Sequence, residues 1–398
     1  MYLYFALLYI ASLFNSKARK LVRGQRSTLS LLKKTAQPSQ HWVWFHAASL
    51  GEFEQGRPLM ERFRTLYPHK KILLTFFSPS GYEMQKDYAG ADCVAYLPFA
   101  TRLNARRLLS VINIDAAFFI KYEFWPSYLR ALKKAGVKTY SVSSVFRRKQ
   151  TFFRWWAAPY RACLKNFTCL FVQDEDSKAL LAKYGIDSVV VVGDTRFDRV
   201  SEICSVEKHI PQLEYFCQDT AKVIVAGSTW DADEKLLARY VQERFDVKLV
   251  LVPHEIDPKH LHRIFQYFSG RYVRFSEATP TSLRLSKCLL VDNMGMLSQL
   301  YKYATVAYIG GGFGVGIHNI IEASVYGKPV VFGPNYKRFR EAHRMIATGG
   351  GFSIGNYKEL ANVLDIHLAD NSVAGRAAAD YVQLELGATE KILSYLKF

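Results

Sequence analysis

The stretch 306–334, VAYIGGGFGVGIHNIIEASVYGKPVVFGP, decides how the rest of the chain is read. The apolar run 306–309 predicts a buried strand, and Gly310, Gly311, Gly312, Gly314 and Gly316 predict a turn after it. A helix opening near His318 and Asn319 and a second buried strand at 329–332 complete a strand, loop, helix, strand unit. Glycine permits positive φ and lets main chain approach a ligand. A helix starting there turns unpaired N–H groups and its positive dipole end toward that ligand, which suits a phosphate. Glu322, one turn in, can accept two hydroxyls of a ribose, and Gly333-Pro334 closes the second strand. The spacing does not match the fingerprint GxGxxG cleanly, so the same glycines also suit a crowded βα turn.

Outward from this unit the same alternation recurs. Short β-rich runs at 42–48, 72–77, 93–97, 116–120, 139–142, 170–172 and 189–192 are separated by helical or turn-like segments. After a polar segment the pattern restarts at 223–225, 249–252, 272–275, 289–291, 307–309 and 330–332. Strands alternating with helices predict an α/β fold with two parallel, doubly wound, Rossmann-like sheets, and ligands at the carboxyl ends of the strands. The expected organisation is 1–34 as a membrane anchor and basic segment, 35–205 and 206–379 as the two domains, and a final helix at 380–398 that returns to the first domain.

The 398 residues, 49% of them hydrophobic, are ample for large cores. The cysteines, Cys93, Cys163, Cys169, Cys204, Cys217 and Cys288, lack CxxC or Cys/His ligand spacing, which argues for a reducing compartment and no structural metal. The formal charge of +18 is unevenly placed. Seven bases precede the first acid, Glu52, and ten more lie in the acid-free stretch 124–173. Such asymmetry marks an anionic partner: a membrane surface, an acidic substrate or nucleic acid. In FRRKQTFFRWW aromatics interleave with bases, which suits single strands or a membrane interface. Residues 1–14, MYLYFALLYIASLF, tip the balance toward membrane. As a helix they would measure about 21 Å against a hydrocarbon core of about 30 Å, so they anchor rather than span. The bases follow the apolar run instead of preceding it, unlike a signal peptide, which keeps the remainder cytoplasmic. A helix packed on its own domain is the alternative.

Three loops of the first half follow predicted strands. Glu52 stands at a strand's carboxyl end and in the first turn of a helix, a place that suits catalysis and that the helix dipole alone also favours. Glu123, in Lys121-Tyr122-Glu123-Phe124-Trp125-Pro126, is drawn inward by the apolar residues before it, or forms a local pair with Lys121. Arg196 follows another strand in Gly193-Asp194-Thr195-Arg196. In the second half, Ala226-Gly227-Ser228-Thr229-Trp230 and Pro253-His254 share the strand edge of the glycine-rich loop.

Taken together, FHAASLGE (45–52), KYEFWPS (121–127), GDTRFD (193–198), AGSTW (226–230), VPHE (252–255), DNMGML (292–297) and the glycine-rich stretch 310–335 resemble the 3-deoxy-D-manno-octulosonic acid (Kdo) transferases of Gram-negative bacteria. The resemblance implies a GT-B glycosyltransferase fold whose domains face across a cleft, with the acceptor on the N-terminal domain and the donor on the C-terminal one. It implies transfer of Kdo from CMP-Kdo to the lipid A precursor at the inner membrane, in lipopolysaccharide synthesis, with no metal and no nucleic acid. By motif, Glu52 is the general base, Glu123 a second essential acid and Arg196 a supporting cation where many relatives carry lysine. Pro253, His254, Met294, Gly295, Met296, Asn319, Ile320, Ile321 and Glu322 match positions that hold CMP. Relatives often have arginine where His254 stands and an acid where Met296 stands. The rival readings are a GT-B enzyme using a UDP-sugar, as lipid-linked sugar transferase or epimerase, and a basic membrane- or nucleic-acid-binding protein without turnover.

Overall fold

The computed structural model describes residues 2–37, 39–206, 208–218, 222–268 and 270–396, with side chains from residue 8 onward. The chain divides into two compact units, Met1–Arg199 with Leu386–Phe398, and Val200–Glu385.

The first unit is built on β1 (His41–Ala47), β2 (Lys71–Phe76), β3 (Cys93–Tyr96), β4 (Asn113–Ile120), β5 (Lys138–Ser144), β6 (Cys169–Val172) and β7 (Val189–Val191). They form one parallel sheet in the order β3-β2-β1-β4-β5-β6-β7. Both faces are covered, as a parallel sheet requires. Along β1, Trp42 and Trp44 enter one apolar layer while Val43, Phe45 and Ala47 enter the other. The second unit holds β8 (Lys222–Thr229), β9 (Val247–Pro253), β10 (Tyr272–Arg274), β11 (Cys288–Leu290), β12 (Val306–Ile309), β13 (Val330–Phe332) and β14 (Gly351–Ser353), also parallel, in the order β10-β11-β9-β8-β12-β13-β14. The order reverses between β1 and β4 in the first sheet and between β8 and β12 in the second, where β11 is also inserted between β9 and the edge strand β10. That reversal opens a crevice at the strands' carboxyl ends, where such sheets bind ligands. The strand β14 escapes the sequence pattern, because three residues led by a glycine carry little β signal.

Both chain ends depart from the expected segmentation. The N-terminal stretch is two helices, Tyr2–Phe14 and Ser16–Thr35, separated at Asn15, whose side chain accepts from the Lys17 and Ala18 amides. The second helix is no free basic segment: it buries Leu21, Val22 and Leu32, and Thr28 Oγ1 donates to the Tyr96 carbonyl at 2.8 Å. Ile10, Leu13 and Phe14 of the first helix stay exposed. Among the described residues no helix is long and apolar enough to cross a membrane. At the other end, 380–398 is not one helix. Helix Ser372–Glu385 belongs to the second unit, Gly387 breaks the chain at φ +91°, and helix Ala388–Tyr395 belongs to the first. The Asp198 carboxylate accepts from the Gly387 and Thr389 amides, both at 2.7 Å, and Ile392, Leu393 and Leu396 join the core of the first unit.

Candidate active site

The turn after β1 starts the helix Leu50–Leu66 with a capping box. Ser49 Oγ accepts from the Glu52 amide at 3.4 Å, while Glu52 Oε2 accepts from the Ala48 and Ser49 amides at 2.6 and 3.2 Å. Glu52 therefore serves the helix end with one oxygen. Its Oε1 takes no hydrogen bond among the described residues. Burial first, then the charge of Glu123, push the Glu52 carboxyl above the usual carboxylate range, against the opposing pull of the Ala48 and Ser49 amides.

Glu123 comes from the turn after β4, on the other side of the strand reversal. Lys121 sits at φ +61°, a left-handed conformation uncommon for a residue with a side chain. Ser144 Oγ donates to the Lys121 carbonyl at 2.6 Å, and the Lys121 amide donates to Val142 O at 2.8 Å, which holds this bend. Glu123 Oε2 accepts from Trp125 Nε1 at 2.8 Å and lies 3.0 Å from His46 Nε2. The order β1-β4 thus brings the two carboxylates together, and with them His46 and Trp125, which the motif reading passed over. His46 lies inside an apolar run, and only the alternation along β1 places it on the side of Trp44.

Arg196 stands apart, in the turn after β7. Asp194 is buried and takes the Arg196 amide at 3.0 Å and its guanidinium at 2.8 Å through Nε and 2.7 Å through Nη2. Burial works to raise the Asp194 carboxyl, but Arg196, aided by Lys121, outweighs it and holds it below the usual range. The cation is thus locked by a carboxylate. Ser143, at φ +56°, accepts from the Thr195 amide at 3.1 Å and steadies the same turn.

In the second unit, Gly310 lies against the backbone of Ser228 and Thr229, where an added Cβ would be 2.3 Å from Ser228 O. Gly312 lies against Gly333 in the same way. These two glycines make the crowded turn. Asp233, buried beneath the loop, accepts from Gly311 N at 3.0 Å, Trp230 N at 3.0 Å and Tyr308 Oη at 2.7 Å, and burial raises its carboxyl. The expected helix at His318-Asn319 is corrected: only one turn, Ile321–Ser324, is helical, and the Asn319 side chain already caps the Ile321 amide at 3.2 Å. A single turn carries little macrodipole, so the loop's own N–H groups would have to serve a phosphate.

The His254 ring stacks between Trp230 and His318, with centroids at 4.8 and 4.5 Å, and burial, then His254, lower the His318 imidazole. Asn319 Nδ2 donates to Glu322 Oε1 at 2.9 Å, and burial raises the Glu322 carboxyl. Ile320 and Ile321 are core residues, and Pro253 ends β9. Met294 is exposed, Gly295 takes φ +88° and Met296 precedes the helix Leu297–Leu300. The six cysteines are unpaired, and no three His, Cys, Asp or Glu side chains converge as a metal site among the described residues.

Two parallel doubly wound sheets, each with polar loops at its strand reversal, define the α/β GT-B class. Among solved structures the UDP-GlcNAc 2-epimerase of Neisseria meningitidis bound to UDP-GlcNAc matches with a TM-score of 0.65 at 16% identity, covering 89% of this chain and 98% of that one. Residues 23–199 match the family described as 3-deoxy-D-manno-octulosonic-acid transferase (kdotransferase). A 3-deoxy-D-manno-octulosonic acid transferase of Aquifex aeolicus is 27% identical over 331 residues, covering 81% of this chain and 84% of that protein. A bifunctional glycosyltransferase/methyltransferase of Fusobacterium nucleatum is 24% identical over 337 residues, 82% of this chain but 52% of its own, so the chain spans about half of that relative. The chain is thus similar to the Kdo transferases, a glycosyltransferase family, over most of its length.

Proposed function

We propose that the chain moves Kdo from CMP-Kdo to a hydroxyl of a lipid A precursor, with inversion, without metal, on the cytoplasmic side of the inner membrane. The observation that carries this is the junction of Glu52 and Glu123 at the first strand reversal. A sugar hydroxyl has a pKa far above 7 and needs a base to attack. Glu52, raised by burial and by Glu123, takes the hydroxyl proton as the oxygen bonds to the anomeric carbon. The bond from that carbon to the phosphate of CMP breaks, and CMP leaves with the electron pair. Arg196 is the candidate cation for the donor's carboxylate. The second unit holds CMP by its glycine-rich backbone, Glu322 and the main chain around Pro253, His254 and 294–296.

An anionic membrane surface as partner is supported by the first unit. Ile10, Leu13 and Phe14 are exposed, as are Trp155 and Trp156 within a run of arginines. A groove of about 540 Å³ with Leu109 and Ala131 in its wall is rimmed by Arg102, Arg106, Arg130 and Lys134, a fit for a phosphate-bearing amphiphile.

The test is product mass. Purified enzyme with CMP-Kdo and lipid A precursor should release CMP and add a Kdo residue to the acceptor, with or without EDTA. Release of UDP from UDP-sugars with CMP-Kdo untouched would transfer the chain to the UDP-sugar class, and activity lost to EDTA and restored by Mg²⁺ would end the metal-free part.

A further inference from the structure

Behind Glu123 a hydrogen-bond chain runs back into the core of the first unit. Trp44 Nε1 donates to Thr75 Oγ1 at 2.8 Å, Thr75 Oγ1 meets His46 Nδ1 at 2.8 Å, and His46 Nε2 lies 3.0 Å from Glu123 Oε2. Trp44, Thr75 and His46 are all at 0% exposure. An indole N–H only donates, so the Thr75 oxygen accepts from Trp44 and its own hydrogen is free to point at Nδ1. The ring proton then sits on Nε2 and faces the carboxylate. The opposite tautomer, with Nδ1–H on the Thr75 carbonyl at 3.1 Å, would let Nε2 accept from Trp125 Nε1 at 3.2 Å, but it sets that bare nitrogen against Glu123, to which the same indole donates at the shorter 2.8 Å. The imidazolium puts a charge where water has no access, a desolvation cost that pairing with Glu123 at 3.0 Å need not repay.

We infer that His46 is a positioning residue: Thr75, fixed by Trp44, locks its imidazole as the neutral Nε2–H tautomer, and that N–H together with Trp125 aims the Glu123 carboxylate at Glu52. Neither His46 nor Thr75 touches substrate in this scheme. They act through Glu123, whose partners set its direction before any ligand arrives. The consequence for turnover rests on the proposed transfer reaction; the tautomer does not.

Nitrogen-15 NMR of the intact chain, labelled in its histidine rings, reads the tautomer directly. The intact protein is expected to show His46 protonated at Nε2 and bare at Nδ1. Thr75→Val removes the hydroxyl at nearly constant shape and should flip the ring. It should also lower turnover about tenfold or more, as loss of a hydrogen bond to a charged group does, with the donor KM unchanged. Thr75→Ser should restore both signals. An Nδ1–H or imidazolium spectrum in the intact protein overturns the inference, and so does a flipped ring in Thr75→Val with full turnover. If CMP-Kdo is not turned over at all, the reaction assignment fails while the spectrum still decides the tautomer.

Discussion

The two strand reversals share a topology and divide the labour differently. At β1 and β4 the turns present side-chain charge: two carboxylates from different strands, close enough for one to raise the other. At β8 and β12 the turns present shape: Gly310 on Ser228, Gly312 on Gly333, and a Trp230–His254–His318 stack, with the carboxylate of Asp233 spent on holding the loop. The same parallel sheet thus builds a place that can move a proton and a place that can hold a flat or phosphorylated group. What separates them is whether the residue after the strand is spent on backbone amides or kept partly free.

The sharpest way to break this contrast is Glu52→Gln. General base catalysis contributes about 10²- to 10⁴-fold, so transfer should fall by that factor while CMP affinity is unchanged. Near-normal turnover would move the base to Glu123. Since the folded Glu52 pKa is raised, its ionisation opposes folding: that contribution is absent below the unfolded pKa, and stability is lost as pH rises through the folded value. The melting temperature of Glu52→Gln relative to the parent should therefore rise with pH. A flat difference would mean that the capping bonds to Ala48 and Ser49 dominate.

Next in size, the exposed apolar face of the first helix distinguishes the units. Ile10→Ser, Leu13→Ser and Phe14→Ser together should cut binding to anionic vesicles by about 10²-fold or more, since each buried apolar side chain contributes up to about 1.5–3 kcal/mol. Equal pelleting of variant and parent at low and high salt would refute the anchoring role. This triple change is preferable to removing 1–34, because Leu32 lies in the core of the first unit.

Gly312→Ala probes the other reversal. The new Cβ would lie 2.6 Å from Gly333 Cα, and overpacking of this kind costs about 1–3 kcal/mol. CMP binding measured by calorimetry should weaken with the loss of stability. Undiminished affinity would show that the nucleotide does not use this loop.

The smallest effect is a displacement of the pH profile. The acidic limb of turnover should lie above the ordinary carboxylate value of about 4.3, because Glu52 must be ionised to act. Glu123→Gln removes the second cause of the rise and should move that limb to lower pH. A limb that stays put in the variant would uncouple the two carboxylates.

Period and punctuation along the chain were enough to place thirteen strands, their parallel pairing into two sheets, and the turns that bear Glu52, Glu123, Arg196 and the glycines. Strand alternation is local, written in runs of β-branched and aromatic residues, so one sequence carries it. The capping box at Ser49–Glu52 was equally legible in its S-x-x-E spacing. Tertiary structure alone decided the rest. Only the strand order β1-β4 brings Glu52 beside Glu123, residues 71 positions apart, and only burial against Thr75 turns His46 from an apolar-run histidine into a partner of that carboxylate. The stack of His254 between Trp230 and His318 likewise depends on neighbours distant in sequence. Burial and charge proximity are long-range properties, and no local pattern records which distant group will be the neighbour.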